Sequence, residues 1–309
     1  MASIRQIRGR LRSISSTKQI MRAMQLVSAS KLKRAQGRLL QARSTLEFLD
    51  GLLQRVLAAT ASERNQTAGR SKRRGTTAPA SAHPLCAAND EASPMLVLFT
   101  SDAGLCGSYN TNLIQLTESY LRQDGRKPVH MAYIGKKGHR YFTKRGYAAA
   151  EAYVDLAGRP DVAKAESIGR ALMDRFLAGH VSSVNLIYSE FKSSMVYRPT
   201  VLRWLPIALE TGAATDNTPQ AAAAGEYIFE PSPQRVFEDL LPRWTLATFR
   251  RVMLESFTSE HSARMIAMKN ATDNAEELLK SLTSQRNKIR QASITKELSE
   301  IVGTAEALK

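Results

Sequence analysis

From Arg243 to Lys309 the chain runs 67 residues without a proline and with a single glycine, Gly303. Met268, Ala275, Leu282 and Ile289 fall seven apart in this stretch, and Met265 and Leu279 lie on the neighbouring seam. After one five-residue step the apolar positions resume as Ile294, Leu298, Ile301, Ala305 and Leu308. Apolar residues spaced alternately three and four apart over such a length predict one long helix that offers a seam to another helix. At 1.5 Å per residue, about 65 residues span roughly 95–100 Å, several times an ordinary globular helix. A rod of that length cannot bury its seam within a small domain. It needs a partner helix, and something else must enclose whatever projects beyond that partner.

The other end of the chain supplies a candidate. A three-four template laid on Ile4, Ile7, Leu11 and Ile14 continues through Lys18, Met21, Gln25, Ser28, Leu32, Ala35 and Leu39 to Ala42, Leu46, Leu49, Leu53 and Val56. Of these 16 positions 13 are apolar, and the misses at Lys18, Gln25 and Ser28 fall where Ile20, Met24 and Val27 offer an adjacent stripe, as a local shift of the seam would. All 11 prolines lie between Pro79 and Pro242, bracketed by two proline-free ends. The expected fold class is therefore α/β with a long antiparallel coiled coil: N- and C-terminal helices paired, and a Rossmann-like α/β domain inserted between them. The expected limits are a helix over 1–59, a low-complexity linker over 60–93, a globular domain over 94–231 and a second helix over 232–309.

The middle supports an inserted layer domain. Residues 60–93 are rich in Ser, Ala, Thr, Gly and Pro, with a basic cluster from Arg70 to Arg74. Pro94 then opens MLVLFT, a short apolar run typical of a buried strand, followed by the turn-rich SDAGLCGSYN and a helical stretch from about Thr111 to Arg122. Strands are expected at 129–135, 150–156, 181–191 and 199–207, with a short helix over 136–146 and a longer one from Asp161 to Ala178. A last short strand and turn are expected over 227–234, leading into a helical stretch before Pro242. Strands alternating with helices indicate an α/β layer arrangement.

Charge narrows the possible partners. The formal net charge is +16, and residues 1–75 hold 17 Lys and Arg against only Glu47, Asp50 and Glu63. A nucleic-acid arm would use such charge on phosphates, but no aromatic precedes Phe48 and no metal-finger or RNA-binding signature occurs. A transit peptide shares the composition, yet the seam runs through residue 56 with no sign of a removable leader. A positively charged shaft docking on acidic protein surfaces is the third reading, and the long paired helices favour it. No apolar run approaches a membrane span.

Nothing in the sequence assembles a catalytic site. DAGLCGS follows a predicted strand, but it is neither GxGxxG nor GxxxxGK[ST]; Gly104 and Gly107 fit a tight strand-to-helix turn better than a phosphate cradle. The histidines at 83, 130, 139, 180 and 261 lack ligand spacing, with His139 expected to be exposed. Ser101 and Asp102 have no local histidine, and the carboxylates are scattered. Cys86 and Cys106 form no disulfide framework or metal motif and read as small apolar residues in a reducing compartment. No cofactor, metal or catalytic residue is expected.

Several long segments carry a resemblance. IRQIRGRLRSISSTKQIMRAMQLVSASKLKRAQ (4–36), FTSDAGLCGSYN (99–110), YIGKKG (133–138), SEHSARMIAMKNATDNAEELL (259–279) and RQASITKELSEIVGTAEAL (290–308) resemble the γ subunits of F-type ATP synthases. The likeness covers nearly the whole chain in order, apart from residues 60–93 and 211–224. It implies a non-catalytic central-stalk rotor that couples ion flow through a membrane ring of c subunits to conformational cycling of catalytic β subunits. It also implies α, β, ε and c subunits as partners and a peripheral place on the cytoplasmic side of a bacterial inner membrane.

The same resemblance implies contact residues. Met24, with Arg22, Lys31, Lys33 and Arg34 nearby, corresponds to the segment where the shaft meets an acidic lever loop of β. Arg290, Gln291 and Thr295 of RQASIT correspond to a β catch-loop contact. Tyr227 and Glu230 of YIFEP correspond to the c-ring contact, with Phe229 in place of a tyrosine. The coiled-coil seam would comprise Ile7, Leu11, Ile14, Met21 and Leu39 facing Met268, Ala275, Leu282 and Ile289. Ala103 stands where the family often has arginine, and residues 192–226 lack the cysteine pair of chloroplast relatives, so no thiol switch is expected. Two readings from the residues alone compete: a basic coiled-coil nucleic-acid-binding or scaffold protein, and an α/β nucleotide-binding enzyme using Gly104 and Gly107.

Overall fold

The structure, a computed structural model, describes residues 4–68, 83–87, 92–123, 129–156, 158, 161–208, 227 and 229–307. Most of the expected 60–93 linker and the alanine-rich 211–224 segment lie outside the described residues. Helix α1 spans Ile4–Ala68, past the expected limit at residue 59. It is followed by a 3-10 turn at Pro84–Cys86 and then by β1 (Met95–Phe99), α2 (Tyr109–Gln123), β2 (His130–Ile134), α3 (Lys136–Thr143) and β3 (Ala149–Tyr153). The chain continues through α4 (Val162–Leu177), β4 (Val184–Phe191), β5 (Tyr197–Leu205) and α5 (Pro233–Ala307). Two compact units result: one holds residues up to Lys31, Leu105–Gly107 and everything from His261, the other Leu32–Gly104 and Ser108–Glu260.

The second unit is built on one five-stranded sheet in the order β3-β2-β1-β4-β5. β1 pairs in parallel with both β2 and β4, β2 in parallel with β3, and β4 in antiparallel with β5. All five residues of β1 are buried, as a central strand covered on both faces requires. The alternating side chains divide between the faces. Met95, Val97 and Phe99 join Ile168, Leu172 and Phe176 of α4 and Phe249, Val252 and Phe257 of α5 in one core. On the other face Phe142 of α3 stacks on Tyr133, with ring centroids 6.3 Å apart. Two glycines permit this closeness. A Cβ on Gly138 would lie 2.9 Å from Leu98 Cδ2, and one on Gly169 would lie 3.1 Å from both Leu246 and Phe249.

Asp161 caps α4, its carboxylate accepting the N–H of Ala163 at 3.0 Å, so the helix begins where the sequence predicts. Helix α5 starts at Pro233, near the expected limit of 232, and continues through Pro242; the expected short strand does not form at the described positions of 227–234. Pro242 costs one backbone hydrogen bond. The flanking residues are held regardless: Leu241 is fully buried and the Trp204 indole N–H donates to the Thr245 carbonyl at 3.0 Å.

Along α1 the three-four template holds further than apolarity alone suggests. Every described template position from Ile7 to Val56 is buried or half-buried, including Lys18, Gln25 and Ser28. The adjacent stripe expected from Ile20, Met24 and Val27 is not used. Ile20 and Val27 are 58% and 55% exposed, whereas Ser28 is 3% exposed and satisfies its hydroxyl on the Met24 carbonyl at 2.8 Å. A small side chain that bonds its own helix costs less to bury than a change of seam, so the register stays. On α5 a buried or half-buried stripe runs through Met268, Thr272, Ala275, Leu279, Leu282, Arg286, Ile289 and Ser293, an unbroken alternation of four and three. Within the first unit Lys18 Nζ lies 3.0 Å from Glu276 Oε2.

Candidate interaction surfaces

The loop that follows β1 is closed by its own hydrogen bonds. Ser101 Oγ lies 3.1 Å from Asn110 Oδ1 and 2.6 Å from the Ala103 carbonyl, and the Ser101 N–H donates to Asn110 Oδ1. Asp102 Oδ1 accepts the N–H groups of Lys136 and Asp155, tying the ends of β1, β2 and β3 together. The loop's polar groups are turned on one another. Gly107 takes the left-handed conformation with φ +57°, as a tight turn needs, but the other such residue is Leu105 at +62° rather than Gly104. Among the described residues no group of three or more His, Cys, Asp or Glu is placed to hold a metal ion.

Three histidines acquire defined surroundings. His139 is half-buried against the Tyr133 ring at 5.4 Å, not exposed as expected. His261 is 2% exposed on α5, with Nδ1 3.5 Å from Arg264 Nη1. His83 caps the 3-10 turn by accepting the Leu85 N–H, and burial beside Phe237 lowers its pKa while Glu238 opposes that shift. Burial pushes the Cys86 thiol up to about 11, the opposite of activation, and Cys106 is 2% exposed.

The residues singled out for partner contact are all at the surface. Arg22, Lys31, Lys33 and Arg34 are exposed on α1 and Met24 is half-buried. Met24 and Lys31 are seven apart and share a side of the helix; the others face elsewhere. Arg290, Gln291 and Thr295 are exposed on α5, the Thr295 hydroxyl donating to the Gln291 carbonyl at 3.0 Å. Beyond Ser293 every described side chain is exposed, including Ile294 at 49%, Leu298 at 58% and Ile301 at 63%. Among the described residues nothing of this chain covers these apolar positions at three-four spacing, which makes the stripe a candidate interaction face.

Tyr227 is 53% exposed, and Glu230 is exposed nearby. Arg55, which sequence reasoning passed over, holds Tyr227 in place. Its guanidinium stacks 4.7 Å from the ring centroid and Nη1 donates to the hydroxyl at 2.7 Å. The Phe229 ring lies nearly parallel to Tyr227 at 6.4 Å. The partnership joins residues 172 apart in sequence, so no local motif points to it.

Among the described residues no helix is long and apolar enough to cross a membrane. The sequence profile of the ATP synthase family matches residues 3–308. The ATP synthase gamma chain of Anaeromyxobacter dehalogenans is 40% identical over 310 residues, covering all of both chains. That of Moorella thermoacetica is 39% identical with the same coverage. Two solved structures share the fold. The central stalk and c-ring structure of Tetrahymena thermophila mitochondrial ATP synthase matches 82% of this chain and 99% of its own, with TM-score 0.55 and 24% identity. A chain of the Euglena gracilis mitochondrial ATP synthase in its OSCP, F1 and c-ring assembly matches 88% and 95%, with TM-score 0.53 and 20% identity. Full-length identity near 40% to curated gamma chains, together with a family match over 3–308, leaves one assignment: the chain belongs to the ATP synthase gamma-chain family.

Proposed function

We propose that this chain is the central-stalk rotor of an ion-driven ATP synthase. In this reading its two terminal helices wind into an antiparallel coiled coil, and the Rossmann-like sheet domain is the footing. Terminal helices over 1–59 and 232–309 form the axle, 94–231 the foot, and 60–93 an insertion of separate role. The α and β subunits surround the axle, while the c ring and ε meet the foot. The chain performs no bond chemistry itself. Its asymmetry, turned by the c ring, drives the catalytic β subunits through their states.

The observation that carries this reading is the pair of burial registers. Both chain ends hide side chains alternately three and four apart, and the Lys18–Glu276 pair joins them. The four-three alternation on α5 ends at Ser293, and the apolar stripe beyond it is left for a surrounding subunit to cover. The cationic residues Arg22, Lys31, Lys33 and Arg34 suit an acidic lever loop of β, with Lys31 on the same side of the helix as Met24. Arg290, Gln291 and Thr295 suit a catch loop, and Tyr227 and Glu230, braced by Arg55, suit the c ring. The protein is then peripheral on the cytoplasmic face of a bacterial inner membrane.

Pull-down of the full chain from detergent-solubilised membranes tests the reading. Recovery of α, β, ε and c subunits in constant ratio is the expected result, with no ATP hydrolysis by the isolated chain. Recovery of nucleic acid instead, lost steeply with salt, would return the basic-scaffold alternative.

A further inference from the structure

A cleft on the sheet unit carries charge of the opposite sign to the rest of this basic chain. It has a volume of about 530 Å³ and lies among α1, α5 and the β4–β5 hairpin. Residues 1–75 contain only three acids, and two of them, Glu47 and Asp50, line this cleft together with Glu190 and Glu255. Each of the three cations lining the cleft already has a carboxylate partner, although Arg251 Nε is buried and unpartnered among the described residues. Arg43 and Arg251 both donate to Glu255 Oε1, at 2.9 and 3.4 Å, and Lys192 pairs with Glu190 at 2.6 Å. Asp50 accepts the Trp244 indole N–H, which leaves its carboxylate with capacity to spare. Glu47 is exposed at the rim.

The cleft also has an unfinished floor. Glu255 is 1% exposed, yet among the described residues its second oxygen, Oε2, has no hydrogen-bond partner. Thr248, 6% exposed and seven residues earlier on the same face of α5, has a hydroxyl that is also unpartnered among the described residues. Buried acceptors left open are uncommon because each costs the desolvation of a polar group. A carboxylate oxygen below and two carboxylates at the rim all ask for N–H donors. From this we infer that the cleft receives a lysine or arginine side chain from a basic segment of a neighbouring polypeptide. The exposed face of α1 near its start attracts acidic partners; this notch repels them and accepts a cation. Opposite preferences on one helix fix which partner docks where.

Only the identity of the neighbour rests on the central-stalk reading, and the test separates the two. Carboxyl groups of the full chain, isolated and in its membrane-extracted assembly, are labelled with a carbodiimide and glycine ethyl ester. Glu47 is expected to react at least five-fold more slowly in the assembly. A Glu47→Lys/Asp50→Lys double variant should retain the neighbour at least ten-fold less well at low salt, and Glu47→Gln/Asp50→Asn should fall between. Equal labelling in both states, or a charge-reversed variant that holds its partners normally, overturns the inference while leaving the stalk reading intact. Should the chain recover no ATP synthase subunits, that reading fails instead, and titration of the isolated chain with triarginine decides the cleft. Saturable binding that the double-lysine variant loses, with none for triglutamate, supports the inference; no saturable binding sinks it.

Discussion

Lys18 and Glu276 stand 258 residues apart in the chain, yet the ammonium of one lies 3.0 Å from the carboxylate of the other. The hydrogen bond and charge of Lys18, reinforced by Lys280, hold the Glu276 carboxyl below its ordinary range. The sign of the linkage follows. A carboxyl whose folded pKa is depressed contributes stability above its unfolded pKa, and loses it as pH falls through the folded value. Urea unfolding between pH 5 and 3 should therefore show an acid-side loss that Lys18→Met removes. The effect is small, since Glu276 is 49% exposed and water screens the pair. The swapped pair Lys18→Glu with Glu276→Lys should restore most of it at neutral pH.

The seam on α5 is not equally deep along its length. Met268 and Ala275 are 4% and 5% exposed, whereas Leu282 is only half-buried. Met268→Ala should cost about 2–5 kcal/mol and Leu282→Ala roughly 1 kcal/mol, read from urea midpoints of the full chain. Equal costs would show that the burial gradient does not reflect packing.

Two glycines give opposite expectations. Gly135 sits at φ +100°, and a Cβ there would lie 2.0 Å from the Thr100 carbonyl oxygen. Backbone cannot yield as a side chain can, so Gly135→Ala should destabilise by more than about 2 kcal/mol. Gly37 lies within α1, and a Cβ added to it would meet nothing within 4 Å. Gly37→Ala should raise stability by about 0.5–1 kcal/mol through helix propensity alone. Thermal melts of both variants check the pair.

Glu255 binds Arg43, which also donates to the Phe191 carbonyl at 2.8 Å, so one guanidinium joins α1, β4 and α5. Glu255→Leu strands two arginines and should cost about 3–5 kcal/mol in chemical unfolding. Arg43→Met should cost less, because Arg251 still faces the carboxylate at 3.4 Å.

Periodicity made the rods and the central strands legible, because burial repeats along them. Met95–Phe99 is a run of five apolar residues, and the three-four template on α1 passes through every described seam position. What stayed hidden is satisfied by long-range pairing. The segment from Val252 to Arg264 is buried throughout although it reads VMLESFTSEHSAR, more than half of it polar. Two of its hydroxyls find partners far away: Ser256 meets the Tyr109 hydroxyl at 2.8 Å and Ser259 the Ser189 carbonyl at 3.0 Å, while Thr258 bonds the Leu254 carbonyl of its own helix. Ser28 misled for a related reason, since apolarity patterns do not reveal that a hydroxyl will be satisfied by its own helix. Pro242 lies inside the expected 232–309 helix although propensity treats proline as a stop, and Trp204 and the core around Leu241 hold the helix on both sides. Of the surface residues, the motif pointed to Tyr227, but only the fold reveals Arg55 beneath it.

Beyond Ser293 the described part of the chain buries nothing of its own. Ile294, Leu298, Ile301 and Val302 are 49%, 58%, 63% and 61% exposed, on a helix that continues to Ala307. Stability measured on the isolated chain depends on what folding hides, so a chain ending at Ser293 should unfold within about 0.5 kcal/mol of the full one. The same apolar stripe should drive self-association of the full chain, and sedimentation velocity should show the shortened chain to be more monomeric at equal concentration. On the proposed central-stalk reading a surrounding subunit walls the stripe in the assembled enzyme, and its removal should then weaken coupling while leaving the rest of the fold untouched. A shortened chain that melts several degrees lower would mean that residues after Ser293 pack against their own molecule, and that the exposed tip is no docking face at all.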